Sequence, residues 1–298
     1  MALLHTDGSH GILGFAEEVL WHGFVDTLKL IPFLFLTYLL MEFIEHHAGD
    51  KFRGFAKRAG KLGPLCGSAL GIIPQCGISA SAASLYTGRV ITVGTLVAVF
   101  LSTSDEMIPI LLGGGITPAS IAKILAYKAI VAACMGFAID GIRRLIKCRD
   151  DSINIDLICE RDNCRCERGI LFSAIHHTVT ITLFVLVITV AINSLIFFIG
   201  EDTVATAVNK IPFLSHLVAA AVGLIPNCAA SVMLSRLYTD GLISAGAMIS
   251  GLFSGAGVGI LVLFRINARV RENIVIAALV ALTGFAFGFI FDLLPFGL

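Results

Sequence analysis

The chain has 298 residues, of which 57% are hydrophobic and 14% are charged. A soluble domain has about 45–50% apolar and about 25% charged residues, so this composition excludes a soluble enzyme, which would lack the polar surface to cover its core. The 21 basic and 21 acidic residues balance, so we expect no nucleic acid as a partner. The composition predicts an all-α polytopic membrane protein whose main partner is the lipid bilayer.

The chain begins with a mixed segment that precedes the long apolar stretches. Residues 1–26 place apolar side chains at helical spacing with acidic residues between them, which predicts an amphipathic helix lying in the outer membrane interface. A spanning helix needs about 20 apolar residues, and the simplest count therefore gives eight spans. The hydrophobic segments lie near 27–48, 64–87, 90–112, 117–142, 170–199, 211–238, 241–264 and 273–296.

An internal repeat runs through both halves of the chain. Residues 71–87 read GIIPQCGISASAASLYT and match residues 223–239, which read GLIPNCAASVMLSRLYT, at an offset of 152 (226 − 74) without a gap. The same offset relates Gly94 to Gly246 in the next segment. Each copy places an amide and a Cys directly after a central Pro. We interpret the match as an internal duplication.

The distribution of basic residues decides between two topologies. If all eight segments span, the basic linkers 49–63 and 143–168 lie on opposite sides, which violates the positive-inside bias. If 64–87 and 211–238 are hairpins that fold back at their Pro, 16 of the 21 Lys and Arg residues lie inside. Each half then crosses three times, and because three is odd the two copies are inverted.

The predicted architecture is therefore two inverted repeats, each with three spanning helices and one Pro-broken re-entrant helical hairpin. We expect a multi-pass protein of the cell (inner or plasma) membrane with both termini outside. The predicted parts are an outer interfacial segment 1–26, a first transmembrane repeat 27–142, a cytoplasmic Cys/Arg-rich linker 143–168 and a second transmembrane repeat 169–298. Whether the protein forms a homodimer stays open.

The two hairpin tips are the first candidate site. Helices broken at mid-membrane leave free backbone groups that bind ions and polar solutes. The tips add the side-chain oxygens of Gln75 and Asn227 and the thiols of Cys76 and Cys228. The alternative is that Pro and Gly only kink a packed helix.

Two adjacent carboxylates inside an apolar segment form the second candidate site. Asp105 and Glu106 follow Ser102-Thr103-Ser104, and each carboxylate costs roughly 2.5–3.5 kcal/mol to insert, so such residues usually face a cavity. We predict that Asp105, Glu106 and Ser102 bind the substrate with the tips, and that Asp105, Glu106, Gln75 and Asn227 ligate a metal. The alternative is a buried ion pair with Lys123 or Lys128.

Carboxylates and imidazoles at two equivalent helix ends are candidates for a proton or ion relay. The alternative is ordinary polarity where a helix leaves the membrane. A third polar feature is the linker cysteines, which suit either a soft cation or no ligand at all. The relay candidates are Glu42, Glu45, His46, His176 and His177, and the linker thiols are Cys148, Cys159, Cys164 and Cys166.

Three runs of sequence carry a family resemblance: GIIPQCG at 71–77, YTGR at 86–89 and LSTSDEMIPIL at 101–111. With them, nearly the whole chain resembles the heavy-metal exporter family of ten membrane segments, whose members are described as arsenic-efflux permeases or as manganese transporters. Six spans and four hairpin arms agree with ten segments. The chain is more distantly similar to organoarsenical permeases, but those carry closely paired Cys where this chain has Gly77 and Ala229.

The ligand types favour one function among several. Oxygen ligands suit hard or borderline divalent cations, so we expect a secondary-active transporter, not an enzyme, that exports a divalent metal cation, Mn²⁺ favoured, against protons. No P-loop pattern is present, and no resident cofactor is expected. The alternative is an efflux permease for an oxyanion such as arsenite, or for a small polar organic solute. The chain has no HExxH or GxSxG motif that would support an intramembrane enzyme. The sequence does not distinguish a transporter from a channel, so a channel remains an alternative.

Overall fold

The structure, a computed structural model, describes residues 62–73, 76–103, 107–146, 170–199, 212–226 and 228–293, together with some residues between 24 and 39, which are helical. Within these ranges every regular element is a helix, which confirms the all-α prediction there. The helices are α1 Gly63–Gly71, α2 Cys76–Thr87, α3 Val93–Ser102, α4 Met107–Gly113, α5 Pro118–Leu145, α6 Ile170–Ile199, α7 Pro212–Gly223, α8 Cys228–Thr239, α9 Ala245–Ser254, α10 Val258–Ile266 and α11 Val270–Leu293.

Four of the hydrophobic segments are interrupted. The predicted breaks occur between α1 and α2 and between α7 and α8, in the intervals that contain Pro74 and Pro226. A further break at 255–257 divides a segment that the sequence predicts to be continuous. In the equivalent segment of the first half, α3 ends at Ser102, Thr103 is not helical, and α4 begins at Met107. In the break at 255–257, Gly257 has a φ of +53°, a conformation that residues with a Cβ rarely adopt.

The molecule is a membrane protein by the distribution of its side chains. Among the described residues, four stretches are long and apolar enough to cross a bilayer: Val93–Gly113, Pro118–Leu145, Ala245–Ile266 and Val270–Leu293. Large apolar side chains such as Leu36, Leu183 and Leu282 are exposed, whereas many Ser and Thr side chains are buried. This arrangement suits lipid outside and polar packing within.

The helices repeat at the offset found in the sequence. Helix α8 begins and ends 152 residues after α2 (228 − 76 and 239 − 87), and α9 follows α3 in the same way (245 − 93 and 254 − 102). The contacts repeat as well. Asp140 accepts hydrogen bonds from Gly94 N at 2.9 Å and Thr92 Oγ1 at 2.6 Å, and Asp292 accepts from the equivalent groups of the second half.

The two halves exchange contacts reciprocally. Helix α2 packs on α10 of the other half, α8 packs on α4, and the equivalent helices α3 and α9 meet each other. The contact of α2 with α10 and that of α8 with α4 are equivalent at the repeat offset, so each half packs these helices on the other half.

Glycines allow the helices within each half to approach closely. A Cβ added at Gly136 on α5 would lie 2.7 Å from the carbonyl oxygen of Gly94 on α3. The equivalent glycines, Gly288 on α11 and Gly246 on α9, also pack against each other, with Gly246 O 2.5 Å from an added Cβ. Small residues at such crossings are typical of helix packing in membranes.

Candidate functional site

The four helix breaks lie close together in the interior. The last residue of α1, Gly71, packs so tightly on Ser102 at the end of α3 that a Cβ would collide with Oγ. Gly255, after α9, faces Ser231 on α8, whose Oγ would be 3.5 Å from an added Cβ. Across the two halves, Gly259 at the start of α10 packs on Ser79 near the start of α2. The breaks therefore form one central region.

Lys128 on α5 lies between two of these helix ends. Its side chain is fully buried, and its Nζ donates to the carbonyl oxygens of Thr103 at 2.5 Å and Leu252 at 2.9 Å. Thr103 is the C-cap of α3, and Leu252 lies in the last turn of α9. The ammonium also lies 5.6 Å from the ring centroid of Phe253. One lysine thus contacts broken helices of both halves.

Most of the predicted ligands adjoin this region in the chain. Gln75, Asp105, Glu106 and Asn227 lie outside the described residues, although the helices on either side of each are described. Cys76 and Cys228 are the first residues of α2 and α8, and the positions of their side chains are not described. The described part of the chain contains no group of three His, Cys, Asp or Glu side chains that could hold a metal.

Ser102 is the one predicted ligand whose side chain is described. It is buried at the end of α3, and its hydroxyl donates within its own helix, to Ala98 O at 2.8 Å or Val99 O at 3.1 Å. Since the hydroxyl hydrogen is used, only the oxygen lone pairs remain for a ligand. Ser102 can therefore accept a bond from a cation or donor but cannot donate to an anion without rearranging.

The two relay histidines of the second half differ in their surroundings. His176 is exposed, whereas His177 on α6 is 1% exposed and stacks on Tyr38, with ring centroids 5.3 Å apart. The Tyr38 hydroxyl lies 3.1 Å from Ser84 Oγ on α2. Either hydroxyl can donate in this pair, since Ser84 Oγ also has Ala80 O as an acceptor at 3.2 Å. A stack does not carry a proton, so this contact positions His177 against the first half. The other relay candidates, Glu42, Glu45 and His46, lie outside the described residues.

Three polar groups were missed by the sequence analysis. Asp140 and Asp292 each cap the helix that enters the central region, and Asp292 Oδ2 also lies 3.1 Å from His216 Nε2. The signal was available, since the two carboxylates stand at the repeat offset (292 − 140).

The third missed group joins the two halves at one end of the molecule. Arg89 follows α2, and its Nη2 lies 3.3 Å from Glu272 Oε2 in the first turn of α11. The Tyr86 hydroxyl donates to the same oxygen at 3.1 Å. Nothing in the spacing of these residues predicts the pair, which depends on how the halves pack.

Comparison with family models, with curated proteins and with solved structures found no match for the chain.

Proposed function

We propose that the protein is a secondary-active transporter that exports a divalent metal cation, Mn²⁺ favoured, in exchange for protons. The observation that carries the proposal is the close approach of four interrupted helical segments inside a membrane protein, with a buried charge between two of them. Discontinuous helices at mid-membrane are the usual substrate and ion sites of such transporters. The resemblance to heavy-metal exporters supports the same class.

The proposed ligands are hard oxygen donors. In the chain, Asp105 and Glu106 stand between α3 and α4, and Gln75 and Asn227 stand directly before α2 and α8. Oxygen donors of this kind suit Mn²⁺ and similar ions, with Cys76 and Cys228 at the margin. Lys128 beside Thr103 adds one fixed positive charge, so the two carboxylates leave a net negative site.

We further propose that the two halves are inverted in the membrane. Two observations support this: the reciprocal packing of the halves, and the basic residues that collect on one side when the α1–α2 and α7–α8 pairs are re-entrant hairpins. Both termini then lie outside, and the end that carries Arg89 and Glu272 lies inside. Of the two buried histidines among the described residues, His177 and His216, we assign His177 to a proton relay on that side.

A second candidate function is efflux of an oxyanion or a small polar solute. The observation in its favour is Lys128, a buried cation between the ends of α3 and α9, together with the N-termini of α2 and α8 at the other breaks. Helix N-termini bind anions. Ser102 argues against this candidate, since its hydroxyl hydrogen is already donated to α3.

The deciding experiment is ion-resolved flux in proteoliposomes that contain the purified full-length protein. We expect Mn²⁺ transport that is driven by an imposed pH gradient, with Fe²⁺, Zn²⁺, Ca²⁺ and arsenite as competitors. Arsenite flux without metal flux selects the second candidate. Flux that is linear in ion concentration and independent of the pH gradient identifies a channel and contradicts both candidates.

The carboxylates supply the matched prediction. Asp105→Asn combined with Glu106→Gln removes the negative charge of the site at nearly constant volume, so we expect metal flux to fall at least tenfold while the protein remains folded. Asp240→Asn is the control, because Asp240 is exposed in the turn after α8. Wild-type flux in the double variant contradicts the assignment of the metal site.

A further inference from the structure

The ammonium of Lys128 lies between two helix ends that belong to different halves. Its two carbonyl partners, Thr103 O and Leu252 O, stand at the C-terminal ends of α3 and α9. The last four carbonyls of a helix have no partner within it and carry the negative end of the helix dipole. Two such ends that face each other repel, and a cation between them removes the repulsion.

The surroundings of the ammonium have the chemistry of a cation site. Backbone oxygens at unwound segments and half-helix C-termini coordinate small monovalent cations in transporters. The face of Phe253, at 5.6 Å, adds the attraction of an aromatic ring for a cation. Lys128 is fully buried, so protein groups, among them these two oxygens and the Phe253 ring, surround its charge instead of water.

The repeat shows that the lysine is an addition to the common scaffold. The equivalent position in the second half is Val280 (280 − 128), which is also fully buried. The helix ends are thus duplicated, but the charge between them is supplied once. A single charge suffices because its ammonium contacts both ends.

We propose that Lys128 is a tethered cation that occupies a monovalent-cation site between the C-terminal ends of α3 and α9. Without the lysine, the same oxygens bind a free small cation such as Na⁺ or methylammonium. The consequence for transport rests on the proposed function: the tethered charge makes a co-bound monovalent ion unnecessary and sets the charge that the site can accept. Lys128 is then a specificity-determining residue that need not touch the substrate.

The test is the thermal stability of purified full-length Lys128→Ala in chlorides of N-methylglucamine, Na⁺, K⁺ and methylammonium at equal ionic strength. In N-methylglucamine, a cation too large for the site, we expect the variant to melt several degrees below the wild type. A small cation should restore roughly 5 °C with a saturating dose dependence, as expected for a ligand that binds the folded state only. The wild type should shift by about 1 °C or less, since the tether already fills the site.

Two further variants keep the test decisive. Lys123→Ala removes an exposed lysine of the same helix and should show no cation-specific shift. If Lys128→Ala does not fold, Lys128→Gln, which keeps N–H donors but no charge, is tested in the same way. Equal melting temperatures of the folded variant in all four chlorides, or an equally large cation effect in the wild type, overturn the proposal. Thermal stability is measured without transport, so a negative flux assay would contradict the proposed function but not the proposal about Lys128.

Discussion

The carboxylate of Asp140 binds the N-terminal end of α3, one of the helices that form the central region. Its oxygens accept from the backbone of Gly94 and the hydroxyl of Thr92, while Thr92 Oγ1 itself accepts from Thr95 N at 3.1 Å. A carboxylate at a helix N-terminus also interacts favourably with the helix dipole. Because Asp140 stands on α5, the same contacts attach α5 to α3 and so fix the direction from which Lys128 reaches the break.

Removal of this carboxylate has a defined expected cost. We expect Asp140→Ala to lose about 1.5–3 kcal/mol of stability, the usual worth of hydrogen bonds to a charged group. The measured quantity is the melting temperature of the detergent-purified protein, which moves by roughly 2–4 °C per kcal/mol in proteins of 150–250 residues. Asp240→Ala, at an exposed carboxylate, should melt like the wild type. Equal melting temperatures for the two variants would show that the Asp140 contacts add nothing.

At the scale of the element, sequence reasoning found some helix breaks and missed others. Pro74 and Pro226 predict the breaks near them because proline lacks the N–H that a helix needs. The breaks after Ser102 and at 255–257 lie in runs whose average hydropathy is that of one continuous span. Gly-Ala-Gly at 255–257 was the available signal in the second half, but isolated glycines are common in membrane helices and decide little alone.

Close helix contacts are likewise only half visible in a sequence. Gly136 and Gly141 both lie on α5, and their sequence context does not distinguish them. The structure does: a Cβ at Gly136 would meet Gly94 O and Pro64 Cβ at 2.7 Å each, whereas nothing lies within 4 Å of one at Gly141. Which glycine is needed depends on the neighbouring helices, and this information is not local to the sequence.

These two glycines give a matched pair of substitutions. Gly136→Ala forces α5 away from α3, and we expect a loss of about 1–3 kcal/mol, as for other overpacked positions. Gly141→Ala adds a methyl group in open space, so it should be neutral or stabilise the helix by up to about 1 kcal/mol. Thermal melts of the two purified variants measure the difference. A Gly136→Ala protein that melts at or above the temperature of Gly141→Ala contradicts the close approach of α3 and α5.

At the scale of the molecule, the two halves are alike in their helices and unlike in their charges. The turns after α2 and α8 have a left-handed backbone conformation at equivalent positions, Arg89 with φ +59° and Gly241 with φ +71°. The sequence predicted the duplication, because an offset of 152 residues is visible without coordinates. The sequence could not predict that Arg89 of the first half pairs with Glu272 of the second half, since the two residues are 183 positions apart (272 − 89).

The left-handed conformation of Arg89 points to a role beyond the turn. A residue with a Cβ pays about 1–2 kcal/mol there, and the second half avoids this cost with Gly241. Arg89 gains in exchange the ion pair with Glu272 of the other half, which ties the end of α2 to the start of α11. The tie exists at one end of the molecule only, because the positions equivalent to Arg89 and Glu272 hold Gly241 and Ser120. Any movement that separates the halves at this end must break it.

The substitution Arg89→Gly therefore distinguishes the role of Arg89 in the turn from its role in the ion pair with Glu272. The substitution relieves the backbone strain and removes the ion pair, so we expect an unchanged or higher melting temperature together with easier opening of this end. Opening is measured by the labelling rate of a thiol introduced by Thr87→Cys, which replaces a buried residue in the last turn of α2. A partly buried pair worth about 1 kcal/mol corresponds to roughly a fivefold faster labelling rate.

The control removes a neighbouring ion pair that does not join the halves. Arg269→Gln breaks the contact of Arg269 with Glu272 within one helical turn, where Arg269 is 51% exposed, and it should leave the labelling rate within about twofold of the parent. A membrane-impermeant reagent applied to sealed vesicles of either orientation also tests the topology, because the proposed inversion places residue 87 on the side of linker 143–168. Unchanged labelling in Arg89→Gly would mean that the ion pair does not hold the halves together, and labelling from the opposite side would contradict the inverted arrangement of the two repeats.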